Sequence, residues 1–338
     1  MRLFGSLLCL LVSCGASAGE TWAAYQAQKI SVRGIKDIKI VGVRGHLTLR
    51  GRNEAHQLSL RVRHSNGHKY DDWYLSVEPR KGTLYIEVFN VAYGAQWRNQ
   101  VREELWPEFD IELEGTALPT TVGWREGALT VSDWDADLEA SFLKGQATVQ
   151  GGYGRLSLQP IQANVQVSGH AGPVNISGES GSIRFSKTSG PLHINWITGA
   201  ISLKECVGEI RVESRDGRLD VDGGEGILQV QMTQGVAHIA AFRGEVNGQG
   251  DKVSWEVAGS APTRIHLQNH SGPVGLSWNS GGAQVLLRSN HGAIDILHSD
   301  FLNSEWHDGQ RVASGVKRST AMGQVDVRTD SGPIRWRQ

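Results

Sequence analysis

From Gly145 to Val257 the chain repeats Gly-x-apolar-x-apolar every nine residues, and no other feature constrains its fold as strongly. Successive frames begin at Gly145, Gly154, Ala163, Gly172, Gly181, Gly190, Gly199, Gly208, Gly217, Gly226, Gly235, Gly244 and Val253. These thirteen frames offer two inward positions each, the third and the fifth. Of those 26 positions all but Gly248 are apolar. Alternation of this kind puts the third and fifth side chains on one face of an extended strand and the second and fourth on the other. A single nonad cannot bury its apolar face, whereas stacked neighbours can, which is the logic of a solenoid.

The spacing predicts a five-residue strand and a four-residue corner per nonad. Two nonads make an 18-residue coil, with alternate strands in two facing parallel sheets ~10 Å apart. The strict register begins at Gly127 and keeps glycine at the first place of most frames, where a corner needs positive φ or close backbone packing. On that reading, valine at Gly190 or Gly217 costs ~1–3 kcal/mol. After Val257 the register shifts by one residue and then by two. It continues through Gly272 and Gly292, breaks over 298–322, and returns at Gly323 and Gly332. Before Gly127, short alternating runs at 38–41, 45–49, 58–62, 73–77, 82–88 and 109–113 read as strands of a less regular part, and 20–29 as a helical turn or an extended lead-in.

The runs GPVNI (Gly172), SGSIRF (Ser180), SGPLHI (Ser189), SGPVGL (Ser271) and SGPIRW (Ser331), with the short strands ahead of them, resemble the bacterial adhesin-like family of the DUF4097 type. The resemblance spans most of the chain and is best from about Gly127 onward. It implies an exported or membrane-associated β-solenoid without established catalytic residues. The expected organisation is an export signal over 1–18, an irregular β capping part over 19–126, and a regular β-solenoid over 127–338 with an inserted loop at 298–322.

Export is read from the N-terminus. Arg2 precedes the apolar run Leu3–Val12, which is too short to span a bilayer. Two processing sites compete. Ala16-Ser17-Ala18 is a small-x-small cleavage site, and Leu11-Val12-Ser13-Cys14 is a lipobox that would make Cys14 a lipidated first residue. Either route leads to the periplasm or to an outer-membrane or cell-surface lipoprotein, and no later run is long enough for a transmembrane helix. The net charge of −1 argues against a nucleic-acid binder. Of 3 cysteines, Cys9 leaves with the signal and Cys206 has no intramolecular partner, so no disulfide framework is expected.

Candidate chemistry is sparse. Asp220-Val-Asp222-Gly-Gly-Glu225 resembles one calcium-binding turn, but the other corners lack the repeated carboxylates a hard cation needs. His298, Asp300, Glu305, His307 and Asp308 in the 298–322 insertion are types that bind metals or move protons, at a spacing that fits no zinc motif. Stacking the coils places Arg184, Ser202, Asp220, His238 and Glu256 in one outward column, and Asn175, His193, Arg211, Gln229 and Asn247 in the other. Neither column puts two carboxylates in adjacent coils. Asp220 and Glu256 lie two coils apart, about 9.6 Å at strand spacing, with His238 between them. Trp196 and Trp278 fall in corners on opposite edges and form no sugar-stacking platform. Trp255 takes a core place, and Trp73, Trp97, Trp106, Trp124 and Trp134 serve a cap. The chain therefore reads as a non-catalytic envelope protein without metal or cofactor. Its polar faces would meet a partner protein or glycan, with the corner glycines as scaffold. A polysaccharide-active β-helix enzyme and a calcium-stiffened repeat protein are the alternatives.

Overall fold

The computed structural model describes residues 26–42, 44–52, 56–64, 73–90 and 108–338. The export signal, Cys14, Trp97 and Trp106 lie outside the described residues. The protein is an all-β solenoid. It divides into two compact units, Met1–Asn164 and Val165–Gln338.

In the first unit the strands are β1 (Gln26–Ser31), β2 (Asp37–Val41), β3 (Arg44–Gly51), β4 (Gln57–His64), β5 (Trp73–Arg80), β6 (Thr83–Asn90), β7 (Glu108–Gly115), β8 (Thr120–Ser132) and β9 (Leu138–Gln150). The chain passes into the second unit along β10 (Leu156–Ser168). Each short alternating run of the sequence lies within one of these strands, apart from Gly82, which is in the turn before β6, and the lead-in is extended from Gln26. The pairing is not sequential. β8 lies parallel to β9, pairing Gly127 with Gly145. On its other side, β3 pairs the later half of β8 and β2 pairs the earlier half. Beyond them come β7 and β6, both parallel. Antiparallel strands finish the two ladders. β4 adds to β7 and β1 to β4, while β5 adds to β6. Trp73, Trp124 and Trp134 are buried in this unit.

The second unit contains β11 (Val174–Ser186), β12 (Leu192–Lys204), β13 (Val207–Asp222), β14 (Glu225–Ala240), β15 (Arg243–Gly259), β16 (Arg264–Ser271), β17 (Val274–Trp278), β18 (Gly282–Ser289), β19 (Ile294–Leu297), β20 (Asn303–His307), β21 (Gln310–Lys317), β22 (Met322–Thr329) and β23 (Ile334–Arg337). From β11 to β15 every strand pairs in parallel with the next at an offset of one 18-residue coil, as in Ile194 on Val212 and Leu219 on Ala237. A coil that returns after 18 residues to one strand spacing must run out and back. The third and fifth side chains of its two halves then meet in a shared core. Ile194, Ile210 and Leu228 from one half, and Ile201, Leu219 and Ile239 from the other, are all buried.

The elements differ from the expected five-residue strands. β11 to β15 are 13 to 17 residues long, and each spans two nonads. The reason is the mid-strand glycine. Gly181, Gly199, Gly217 and Gly235 have φ between 123° and 153°. The chain can therefore bend there while its amides stay in the ladder. The stack allows no alternative: a Cβ on Gly217 would lie 2.1 Å from the carbonyl oxygen of Gly199, and one on Gly235 2.0 Å from that of Gly217. The opposite corner is a true turn. Its tip residue recurs every 18 positions with φ near +60° and is Lys187 (52°), Glu205 (52°), Gly223 (73°) and Ala241 (55°) in successive coils.

After β15 the order departs from the sequence. The β16–β17 coil follows β15. The next coil in space, however, is the last in the chain: β22 lies on β16 and β23 on β17. The β18–β19 coil stacks outside it. The 298–322 insertion, expected as a loop, holds a β-hairpin, β20–β21. Its β21 lies antiparallel on β18, and β20, antiparallel on β21, ends the ladder. Length and polarity suggested a loop, but the Gln310–Lys317 backbone finds hydrogen-bond partners on the open edge of β18, and pairing satisfies both. Trp278 and Trp336 stack at 6.5 Å between ring centroids inside this end, with Phe301 edge-on to Trp336.

Candidate functional site

Both outward columns deduced from the repeat are present. Arg184, Ser202, Asp220, His238 and Glu256 follow one another in strand register, as do Asn175, His193, Arg211, Gln229 and Asn247. Asp220 and Arg211 are ion-paired along their strands. The Arg218 guanidinium donates to both Asp220 carboxylate oxygens, one at 2.7 Å, and His238 Nδ1 lies 4.0 Å away from the same group. Arg211 donates to Glu213, which also faces His193 at 3.8 Å. Asp220, half-buried, is bound by Arg218, and Glu256 stands two strands away from it. The column therefore lacks the facing pair of carboxyls that glycoside cleavage uses.

The other candidates separate. Asp222 faces Lys204 at 4.0 Å across neighbouring strands, while Asp220 is committed to Arg218. The Asp220–Glu225 stretch is thus the end of β13, a Gly223-Gly224 turn and the start of β14. In the insertion, His307 and Asp308 form an exposed pair at 3.2 Å at the hairpin tip. His298 and Asp300 instead line a shallow depression of about 710 Å³ with Trp278, Ser299 and Lys317. Among the described residues no three His, Cys, Asp or Glu side chains are grouped to hold a metal ion. Trp196 and Trp278, treated as exposed corner residues in the sequence, are buried, and Trp255 is in the core. Cys206 is buried at the turn. Thr188 Oγ1 donates to its sulfur at 3.2 Å, and burial pushes the thiol pKa up.

The displaced last coil assembles what the sequence kept apart. Three corners stack there: Asn269-His270-Ser271-Gly272, Thr329-Asp330-Ser331-Gly332 and Ser289-Asn290-His291-Gly292. Asp330 lies between the other two. Asn290 Nδ2 donates to it at 2.8 Å, and His270 and His291 approach its carboxylate at 3.3 and 3.6 Å. That amide, then the two imidazoles, hold its carboxyl below the usual carboxylate range. Four residues earlier, on β22, Asp326 sits likewise between His266 at 3.8 Å and Arg288 at 3.0 Å. Inside the corner, Asn269, Thr329 and Ser289 form a buried polar stack. Thr329 Oγ1 donates to Gly332 O at 2.7 Å and lies 3.0 Å from Ser289 Oγ, and Asn269 Nδ2 donates to Val253 O at 2.8 Å. These groups fasten the last coil into its slot from both sides. The signal in the sequence was the recurrence of a polar residue ahead of glycine at 269–272, 289–292 and 329–332, but their order in space was not readable there.

Among the described residues no helix is long and apolar enough to cross a membrane. No protein-family model matches the chain, and no curated protein matches it. Similar solved structures include a provisionally named cell adhesion protein from Clostridium sporogenes, at 11% identity over 93% of this chain and 99% of that one, with a TM-score of 0.21. They also include a provisionally named lipid binding protein from Parabacteroides distasonis, at 12% identity, 93% and 97% coverage and a TM-score of 0.30. A provisionally named adhesin from the same organism stands at 9% identity, the same coverages and a TM-score of 0.22. At these scores the likeness assigns no function.

Proposed function

We propose that this chain is a non-catalytic, exported envelope protein, adhesin-like or scaffolding, that binds a protein or glycan by presenting the polar faces of its solenoid. One observation carries the reading: the outward side chains stand in fixed columns, in register from strand to strand and in part ion-paired, without two acids converging on a cleft. Parallel ladders and buried cores hold such a face rigid, so little ordering entropy is lost when a partner docks. The leader-like N-terminal sequence supports export, with cleavage after Ala18 or lipidation at Cys14 as the two routes. The test is a glycan array together with a pull-down from an envelope fraction, both using the mature protein. Saturable retention of a defined glycan or protein is the expected result. Turnover of a polysaccharide by the purified chain would replace the proposal with the enzyme alternative.

A further inference from the structure

The outward column through Asp220, His238 and Glu256 continues beyond the point where the repeat loses register. Glu256 pairs with Gly275, Gly275 with Arg335 and Arg335 with Asp295. Gly275 is the anomaly. The other outward places of this column, from Arg184 onward, carry a polar or charged side chain. Gly275 has no positive φ. An added Cβ would meet only Trp255 O at 3.6 Å and Glu256 Cγ at 3.9 Å, both ordinary contacts. Neither backbone conformation nor crowding demands glycine here, in contrast to the ladder glycines, whose Cβ positions are occupied by backbone.

Its effect is to open a depression of about 330 Å³ in the face. The small side chains of Ala258 and Ser277 extend the floor one place along the neighbouring column. Glu256 and His238 form one wall, and Arg335 and Arg337 the other. The walls stand two strand spacings apart, about 9.6 Å. Arg335 is drawn toward Asp295 at 3.9 Å, while no hydrogen bond or ion pair of Arg337 is found among the described residues. One wall thus offers two guanidinium forks, suited to an oxyacid. The other offers a carboxylate that accepts from hydroxyl donors. The floor is flat peptide, wide enough for one ring.

We propose that the Gly275 notch binds an acidic saccharide. The sugar's carboxylate or sulfate lies on Arg335 and Arg337, its hydroxyls donate to Glu256, and its ring covers Gly275. A neutral sugar would leave the guanidinium wall unmatched. A simple anion would use that wall alone and gain nothing from the notch. This deepens the proposed function and rests on it, since it names the partner class of one solenoid face. The site also depends on the displaced last coil, because Arg335 and Arg337 come from β23 and reach β17 only by that displacement.

The test is isothermal titration of the mature protein with three probes: trigalacturonic acid, its methyl ester, and inorganic phosphate. A sulfated disaccharide forms a further arm that separates carboxylate from sulfate as the acid. The acid trisaccharide or the sulfated disaccharide is expected to bind at least tenfold more tightly than the ester and than phosphate. Gly275→Leu fills the notch and is expected to weaken binding at least tenfold with an unchanged melting temperature. Arg337→Gln, an exposed change that leaves the notch open, is expected to weaken it several-fold. Equal binding of acid and ester, or full binding by Gly275→Leu, overturns the notch. If the glycan array or pull-down finds a partner that Gly275→Leu retains, the notch fails and the broader binding function stands. If neither finds one, both fail.

Discussion

Gly217 and Gly223 lie six residues apart in the same coil, and both have positive φ, yet alanine should affect them very differently. Gly217 is in mid-strand with φ 153°, and an added Cβ would come within 2.1 Å of Gly199 O and 3.0 Å of Gly199 N. Those atoms belong to the hydrogen-bonded ladder and cannot swing aside. Relief requires spreading adjacent coils, in a stack whose neighbours above and below repeat the same contact. Overpacking of about 1–3 kcal/mol adds to a backbone region that costs a residue with a Cβ about 1–3 kcal/mol, for a total near 4 kcal/mol. Gly223 is at the turn tip with φ 73°, and the nearest atom to its added Cβ is Glu205 Cγ at 3.7 Å. Sister coils already hold Lys187, Glu205 and Ala241 at that place. The left-handed conformation costs about 1–2 kcal/mol and the stiffer unfolded chain returns about 0.4–1 kcal/mol, leaving a net loss near 1 kcal/mol or less. The difference of about 3 kcal/mol is roughly a hundredfold in the unfolding equilibrium. In a unit of this size it separates the two melting temperatures by about 6–12 °C. The assay is thermal and urea unfolding of the two variants and the parent, followed by circular dichroism and by emission from the buried Trp196, Trp255 and Trp336. Losses within 1 kcal/mol of each other, or a larger loss for Gly223→Ala, would refute the backbone-contact account of the ladder.

Two further outcomes follow from the displaced coil and the turn. Asp330 has a folded pKa below its unfolded value, so its contribution to stability is complete above about pH 4 and is lost as pH falls through the folded pKa. Asp330→Asn should therefore flatten the acid limb of the stability–pH curve below pH 4 and lower the unfolding midpoint at neutral pH, and an unchanged acid limb would remove Asp330 from the clasp. Cys206 is buried with its thiol pKa raised by desolvation. A thiol reagent at pH 7 should leave it unmodified in the folded protein and label one thiol per chain once urea unfolds it, judged on mature protein cleaved after Ala18; prompt labelling without denaturant would contradict the burial.

Much of this protein was determined locally. With a nine-residue period and apolar third and fifth places, each unit must stack, because burial of its inward face depends on its neighbours. The all-β solenoid, the core through Ile194, Leu219 and Trp255, and the outward columns as far as Glu256 all follow from counting residues. Counting works there because each coil from β11 to β15 pairs with the next in the chain. The bent strands were less visible, since a glycine with φ near 130° can end a strand or carry it round a corner, and only the ladder contacts distinguish the two.

Only the tertiary structure decided the end of the stack. Once the period breaks over 298–322, the sequence holds no rule for which open edge the final frames join. That choice is made by distant backbone groups competing for partners. The chain's last coil takes the edge of β16 and β17, the preceding coil stacks outside it, and the hairpin covers β18. This order places Asp330 between His270 and His291, and it sets Arg335 beside Gly275. Both features depend on pairings far apart in the chain. The repeat built the surface, and the choice among distant edges determined which side chains meet on it.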